Sequence, residues 1–237
     1  MEDFNLLDYG VQPCPDIDEL LRLAHRGSRT DTPPKKKIPR HRRGETFIKG
    51  PIPYAWITSA CRLPGSGLAV TMIYLFLDGR FRCPSQWGLE QLAKELHLAE
   101  RSVRRGLHAA EKVGLLSVIR KPGCKPEVSP SFPADPDPNP ASLPLYGPIP
   151  WSWWLSASYL SGRALQVAAL CWSIAGWERS AEFELASDTW PDFGLTQSSA
   201  FRGLATLEAA KLVAVGRRRG KSSRVTILES PTTRSES

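Results

Sequence analysis

The chain lacks the short patterns that most enzymes and metal proteins cannot do without. It has no C-x-x-C, no H-x-H, no G-x-S-x-G and no G-x-x-x-x-G-K-[ST]. The first two absences argue against a zinc site, the third against a nucleophile elbow, and the last against a phosphate-cradling nucleotide loop. No spaced carboxylates recur in a way that would suggest acid–base chemistry, so the reading is of a non-enzyme with no catalytic residue, no metal and no cofactor. The five cysteines are odd in number, scattered over positions 14 to 171, and form no disulfide framework. No apolar run approaches the ~18 residues of a membrane span. The first residues carry acids where a secretion signal needs positive charge. The expectation is a cytoplasmic protein with no membrane partner.

What remains is basic and well supplied with core material. Hydrophobic residues make up 41% of the 237 and include eight tryptophans, enough for ordinary cores without staples. The formal charge is +7 and the pI about 9.3. An excess of that size points to an acidic partner, most commonly nucleic acid.

The sequence repeats itself. Gly50-Pro51-Ile52-Pro53-Tyr54-Ala55-Trp56 returns as Gly147-Pro148-Ile149-Pro150-Trp151-Ser152-Trp153, an offset of 97. The same ungapped offset matches Leu68 with Leu165, Gly79 with Gly176, Arg105-Gly106-Leu107 with Arg202-Gly203-Leu204, Glu111 with Glu208 and Val128 with Val225. One register held over a whole domain marks a true internal repeat; only about 81–97 matches poorly.

Boundaries follow from the repeat. Residues 1–46 form a disordered tail ending in a basic arm, 47–131 the first domain, 132–145 a linker, 146–230 the second domain and 231–237 a C-terminal tail. Proline at nearly every second position of the linker favours an extended, semi-rigid spacer, about 43 Å at full reach. That reach covers one turn of DNA, so two half-sites ten or eleven base pairs apart are expected. Residues 15–26 could make a short helix too weak to stand alone, and are a candidate protein-binding segment.

Within each copy, periodicity gives three helices and a hairpin. Leu68–Leu77 is apolar nearly all round, as a buried helix should be, with Gly79 as its stop. Leu89–Leu96 is amphipathic. Glu100–Val113 follows, with Val103, Leu107 and Ala110 on one face and Gly114 ending it. Leu115–Ile119 and Glu127–Val128 flank a basic loop that contains Gly123. The second copy repeats this with Leu165–Ile174, a less clear helix near 185–191, Gln197–Ala210, and a hairpin from Leu212–Val215 to Val225–Leu228. Thr196 caps its helix better than Ala99 can cap the corresponding one.

Two stretches carry a resemblance. They are Leu98-Ala99-Glu100-Arg101-Ser102-Val103-Arg104-Arg105-Gly106-Leu107 with Glu111 and Gly114-Leu115-Leu116, and Leu195-Thr196-Gln197-Ser198-Ser199-Ala200-Phe201-Arg202-Gly203-Leu204 with Glu208 and Leu212-Val213. In this setting the chain resembles the winged helix-turn-helix superfamily of bacterial regulators. The resemblance implies a mainly α fold with small β-hairpins (α+β), two such domains in tandem, and double-stranded DNA as partner.

The residues support that chemistry independently. A helix reads the major groove through donors near its N-terminus. Arg101, Ser102, Arg104, Arg105 and His108 supply that face in the first copy; Gln197, Ser198, Ser199 and Arg202 supply it in the second. The wings offer Arg120, Lys121 and Lys125, then Arg217, Arg218, Arg219, Lys221 and Arg224, to the backbone or minor groove. The arm adds Lys35, Lys36, Lys37, Arg40, Arg42 and Arg43. A basic helix face is often only a solvated surface; finding helix and wing twice at matching places is what favours DNA. The Trp-rich segment at 151–154 is read as packing. Residues 46–131 carry twelve basic against six acidic residues, whereas 147–230 carry nine against seven, so the first copy should grip harder.

The functional expectation is a sequence-specific transcriptional regulator, nucleoid-associated, from a bacterium or a mobile element. An alternative is a plasmid or mobile-element replication initiator binding repeated origin sites, which the chain also resembles; its flexible proline spacer departs from the rigid join of those proteins. A further alternative is a chromosome-organisation interaction subunit, against which the basic wings argue.

Overall fold

The apolar run beginning at Leu68 has no polar face to offer water, so as a helix it must be surrounded by other elements. The computed structural model describes residues 35–81, 87–132, 144–217 and 222–230, and it bears this out. In chain order the elements are β1 (Phe47–Ile48), α1 (Tyr54–Cys61), α2 (Gly67–Phe81), α3 (Leu89–Leu96), α4 (Glu100–Lys112), β2 (Leu116–Ile119) and β3 (Glu127–Pro130). Then come β4 (Ile149–Pro150), α5 (Trp151–Ser158), α6 (Ala164–Glu178), β5 (Glu182–Glu184), a 3-10 turn (Trp190–Phe193), α7 (Gln197–Ala209), β6 (Val213–Gly216) and β7 (Arg224–Ile227). The protein is thus mainly helical with small antiparallel sheets. No helix among the described residues is long and apolar enough to cross a membrane. Residues 1–34, with the segment at 15–26, most of the linker (133–143) and the tail at 231–237 lie outside the described residues.

Helices α1, α2 and α4 and strands β2 and β3 recur as α5, α6, α7, β6 and β7 with bounds shifted by 97. Four expectations need correction. Helix α2 does not stop at Gly79 but runs to Phe81; a mid-helix glycine costs only ~1 kcal/mol, which burial on all sides outweighs. Helices α1 and α5 were not foreseen, because two prolines precede each of them and the Trp-rich run reads only as packing. Pro53 and Pro150 in fact stand just ahead of the first helical turn, where a missing N–H costs little. Residues 185–189 are not helical; the second copy has β5 there, then only the short 3-10 turn. Strand β5 joins the hairpin to give the order β5-β7-β6, a three-stranded sheet.

The two copies are not held apart. From Lys35 onward the chain is one compact unit with a single buried cluster running from Ile48 to Ile227. The contacts between copies come in pairs related by the offset, as an approximate twofold axis requires. Ile48 pairs with Ile149, and Leu145 with Ile52. Tyr54 Oη donates to Asp192 Oδ2 at 2.8 Å, and its counterpart Trp151 donates from Nε1 to Glu95 Oε1 at 3.1 Å. Arg62 Nε donates to the Asp192 carbonyl and Tyr159 Oη to the Glu95 carbonyl, both at 3.0 Å. At the axis the backbones of Gly50 and Gly147 touch: a Cβ added to Gly50 would collide with the Gly147 nitrogen, and one on Gly147 would lie 2.6 Å from the Gly50 nitrogen. The repeated Gly-Pro-Ile-Pro is therefore the joint between the copies, and this joint, rather than the reach of the linker, sets their spacing.

Inside each copy the matching tryptophan ties hairpin to helix. Trp56 Nε1 donates to the Ser131 carbonyl at 3.0 Å and Trp153 Nε1 to the Leu228 carbonyl at 3.1 Å. Trp151, Trp153 and Trp154 are all buried, in keeping with a packing role.

The glycines give a stability test. Gly50→Ala or Gly147→Ala drives a Cβ into backbone that no rotamer can clear, and each should destabilise by about 1–3 kcal/mol or more in denaturant titrations. Gly79→Ala is the control: its only neighbour is Lys49 Cδ at 4.0 Å, and it should stabilise by roughly 0.5–1 kcal/mol. Equal effects at the three positions would show that the two glycines do not form a joint.

Candidate nucleic-acid interface

Helix α4 lies across the N-terminal end of α2, and glycine permits the close approach. A Cβ at Gly106 would sit 2.9 Å from Val70 Cγ2 and 3.1 Å from Ser66 Oγ, and the Ser66 hydroxyl donates to the Ser102 carbonyl at 2.7 Å. The second copy repeats the arrangement: a Cβ at Gly203 would meet Val167 Cγ2 at 2.7 Å and the Arg163 carbonyl at 3.1 Å. A cleft of about 630 Å³ runs between the copies at this end, bordered by Ser66 and Leu68 on one side, Gly162 and Gln166 on the other, with Leu98, Ser102 and Arg105 of the α4 segment along it. The N-terminal ends of α2 and α6, and with them α4 and α7, therefore share one end of the molecule.

The apolar stripe of α4 (Val103, Leu107, Ala110) is buried, which forces Arg101, Arg104, Arg105 and His108 outward. The three arginines form no ion pair among the described residues. Arg101 stands in the first turn, where the helix dipole disfavours a cation, by ~0.3–1 kcal/mol at exposed sites. A cluster so placed gains from an external anion. Ser102 is half-buried beside the cleft.

Helix α7 presents a weaker version. Gln197 and Ser198 are exposed, and Arg202 Nε turns back to the Ser198 carbonyl at 3.3 Å. Ser199 is occupied with capping: the Thr196 N–H donates to its Oγ at 2.8 Å, and the Ser199 N–H donates to Thr196 Oγ1 at 3.3 Å. Thr196 is thus the cap expected of it, while Ala99 makes no side-chain cap.

Most of the described hairpin cations are occupied by the chain's own acids. Arg120 forms a bidentate pair with Glu111 at 2.6 and 2.7 Å, and its counterpart Arg217 pairs with Glu208 at 2.6 Å. The hydrogen bond from Arg120 holds the Glu111 carboxyl below its ordinary range and raises the guanidinium in turn. Lys121 pairs with Glu127 at 3.1 Å, and Arg224 with Glu182 at 3.1 Å. Lys125 is exposed and makes no ion pair among the described residues. Arg218, Arg219 and Lys221 lie outside the described residues. These intrachain pairs were invisible in the sequence, although the 9-residue spacing of Glu111–Arg120 and Glu208–Arg217 repeats in both copies.

The basic arm lies elsewhere. Lys35 Nζ donates to the Glu178 carbonyl at 2.8 Å, Lys36 pairs with Glu182 at 2.6 Å and Arg42 with Glu229 at 3.5 Å. The Lys36 carbonyl accepts from the Ala181 N–H at 2.8 Å. Rather than trailing free, residues 35–46 are laid on the second copy by two acids, Glu182 and Glu229, and by backbone groups of Glu178 and Ala181. Lys37, Arg40 and Arg43 remain exposed. Their anchorage is at the C-terminal end of α6, a helix about 22 Å long at 1.5 Å per residue, and so at the opposite end from α4 and α7.

Compared with known proteins, the chain matches no family model and no curated sequence.

Glu182 joins the arm to the second hairpin, and its pKa is lowered, first by the hydrogen bond from Lys36 and then by the charges of Lys36 and Arg224. A lowered folded pKa means that the contact stabilises above the ordinary carboxylate value and is lost as pH falls through the folded value. The Ala181 amide should therefore exchange faster with solvent in acid, relative to its unprotected rate, and Glu182→Gln should reproduce that acceleration at neutral pH. An Ala181 amide indifferent to both changes would mean that the arm is held without this cluster.

Proposed function

We propose that the chain binds double-stranded DNA through two winged helix-turn-helix units, with α4 and α7 as recognition helices, and that it acts as a sequence-specific transcriptional regulator. The observation that carries this reading is the outward cluster of Arg101, Arg104 and Arg105 on the N-terminal half of α4, without an ion pair among the described residues, whereas Arg120, Lys121, Arg217 and Arg224 of the hairpins are each held by an acid. Support comes from the order of elements in each copy: a buried helix, a helix pair in the first copy, then the hairpin. Both helices border one end of an approximately twofold body, as two halves of a dimer would.

The wings contribute less than their charge suggests, because phosphate must compete with Glu111, Glu208, Glu127 and Glu182 for them. The arm, at the far end, takes no part in the same contact. Binding through the first copy dominates, since α7 offers one arginine to the three of α4.

A second reading is a replication initiator that binds repeated origin sites. The continuous core across both copies favours it, since a rigid join is the feature that the resemblance to such proteins asks for.

Mobility shifts across a salt series test the proposal. Replacing Arg101, Arg104 and Arg105 by Ala should flatten the plot of log affinity against log salt by about 0.9 for each phosphate that the variant no longer neutralises. If Arg105 reads a base, Arg105→Ala should also cost ~1–3 kcal/mol on a selected site. Arg120→Ala, which removes a cation already held by Glu111, should change the slope much less. Equal changes from α4 and hairpin variants, or no binding by the wild-type chain at low salt, would overturn the assignment.

A further inference from the structure

A cleft of about 390 Å³ lies at the end of the molecule away from α4 and α7. One wall is the arm, from Lys37 to Arg40; the other is Tyr146–Pro148 with the C-terminal half of α6 and Arg179. Its volume falls within the range of small-molecule sites, ~300–1,000 Å³.

The distribution of charge around it is selective. On the same arm Lys35, Lys36 and Arg42 are each held by the second copy. Lys37, Arg40 and Arg179 line the cleft, and none of them has an ion pair among the described residues. No carboxylate lines the cleft. Trp172, only 1% exposed, forms part of the wall, and its indole N–H has no acceptor among the described residues. The remaining lining is largely apolar: Ile38, Pro39, Pro148 and the Tyr146 ring, with the backbone of Gly147 and Gly176. The cleft thus offers three cations around a largely apolar slot, with Trp172 in its wall.

We infer that this cleft binds a small organic anion, a flat apolar or aromatic body carrying a carboxylate or phosphate, with Lys37, Arg40 and Arg179 holding the charge and Trp172 in the wall. Such a ligand neutralises cations that the chain leaves unpaired and covers apolar surface in the same step. It bridges the arm to the second copy, so binding fastens the arm more firmly. The inference stands on this cleft alone and does not depend on the DNA-binding reading.

Phenyl phosphate and benzyl alcohol, an anionic and an uncharged aromatic of similar size, make the test on the full chain. The reporter is the Trp172 indole N–H resonance, assigned through Trp172→Phe. Phenyl phosphate should shift it saturably, and benzyl alcohol should not. Arg179→Ala, at an exposed position that leaves the core intact, should weaken phenyl phosphate by about tenfold, as expected when one charge-assisted hydrogen bond is removed, and the double variant Lys37→Ala/Arg40→Ala, which removes two exposed cations, by more than about tenfold. A carboxylate analogue, benzoate, separates a general anion site from one selective for phosphate; either outcome supports the inference if the cation variants weaken it. No saturable shift with either anion, an equal response to benzyl alcohol, or binding unaffected by the cation variants would overturn it.

Discussion

The contact on which the rest depends is the meeting of two peptide backbones at Gly50 and Gly147. No side chain fits there, because each glycine's missing Cβ position is filled by the other strand. That approach lets Ile48 pair with Ile149 and Leu145 with Ile52, and these pairings bring Tyr54 onto Asp192 and Trp151 onto Glu95. Two helical copies that could have been joined by a tether become one body with a continuous apolar interior.

The joint also sorts the charges. Helices α2 and α6 run from one end of the body to the other, so groups seated on their N-terminal ends are separated from groups on their C-terminal ends. The unpaired arginines of α4 fall at one end; the arm, with the cations around its cleft, falls at the other. Sequence alone places both in one basic total. The structure gives them different surroundings: one lies on an exposed helix face, the other around a recess.

Much of this was legible in the sequence. The offset of 97 announced the repeat; continuous apolar runs located α2 and α6, and amphipathic patterns located α3, α4 and α7, to within a few residues. What failed to show had physical reasons. Helices α1 and α5 are short, nearly without a polar face and preceded by prolines, so no periodicity marks them. The divergence between copies hid β5 and reduced the counterpart of α3 to a 3-10 turn at Trp190–Phe193. The partners of the cations are long-range: Glu182 lies far along the chain from Lys36, and no local pattern reports which lysine of a basic run will be paired. The outward position of Arg101, Arg104 and Arg105 was legible, because the buried stripe of α4 dictates it.

The claim that the copies form one cooperative body is tested most directly by native-state hydrogen exchange in a chain weakened in one copy only. Leu207 is fully buried in α7 of the second copy, and Leu207→Ala should remove ~2–5 kcal/mol of stability. If the body is one unit, the slowest amides of α2 and α6 exchange only through global opening, and both lose protection by the same amount. An α2 that keeps its wild-type protection while α6 loses its own would show two tethered domains and contradict the account.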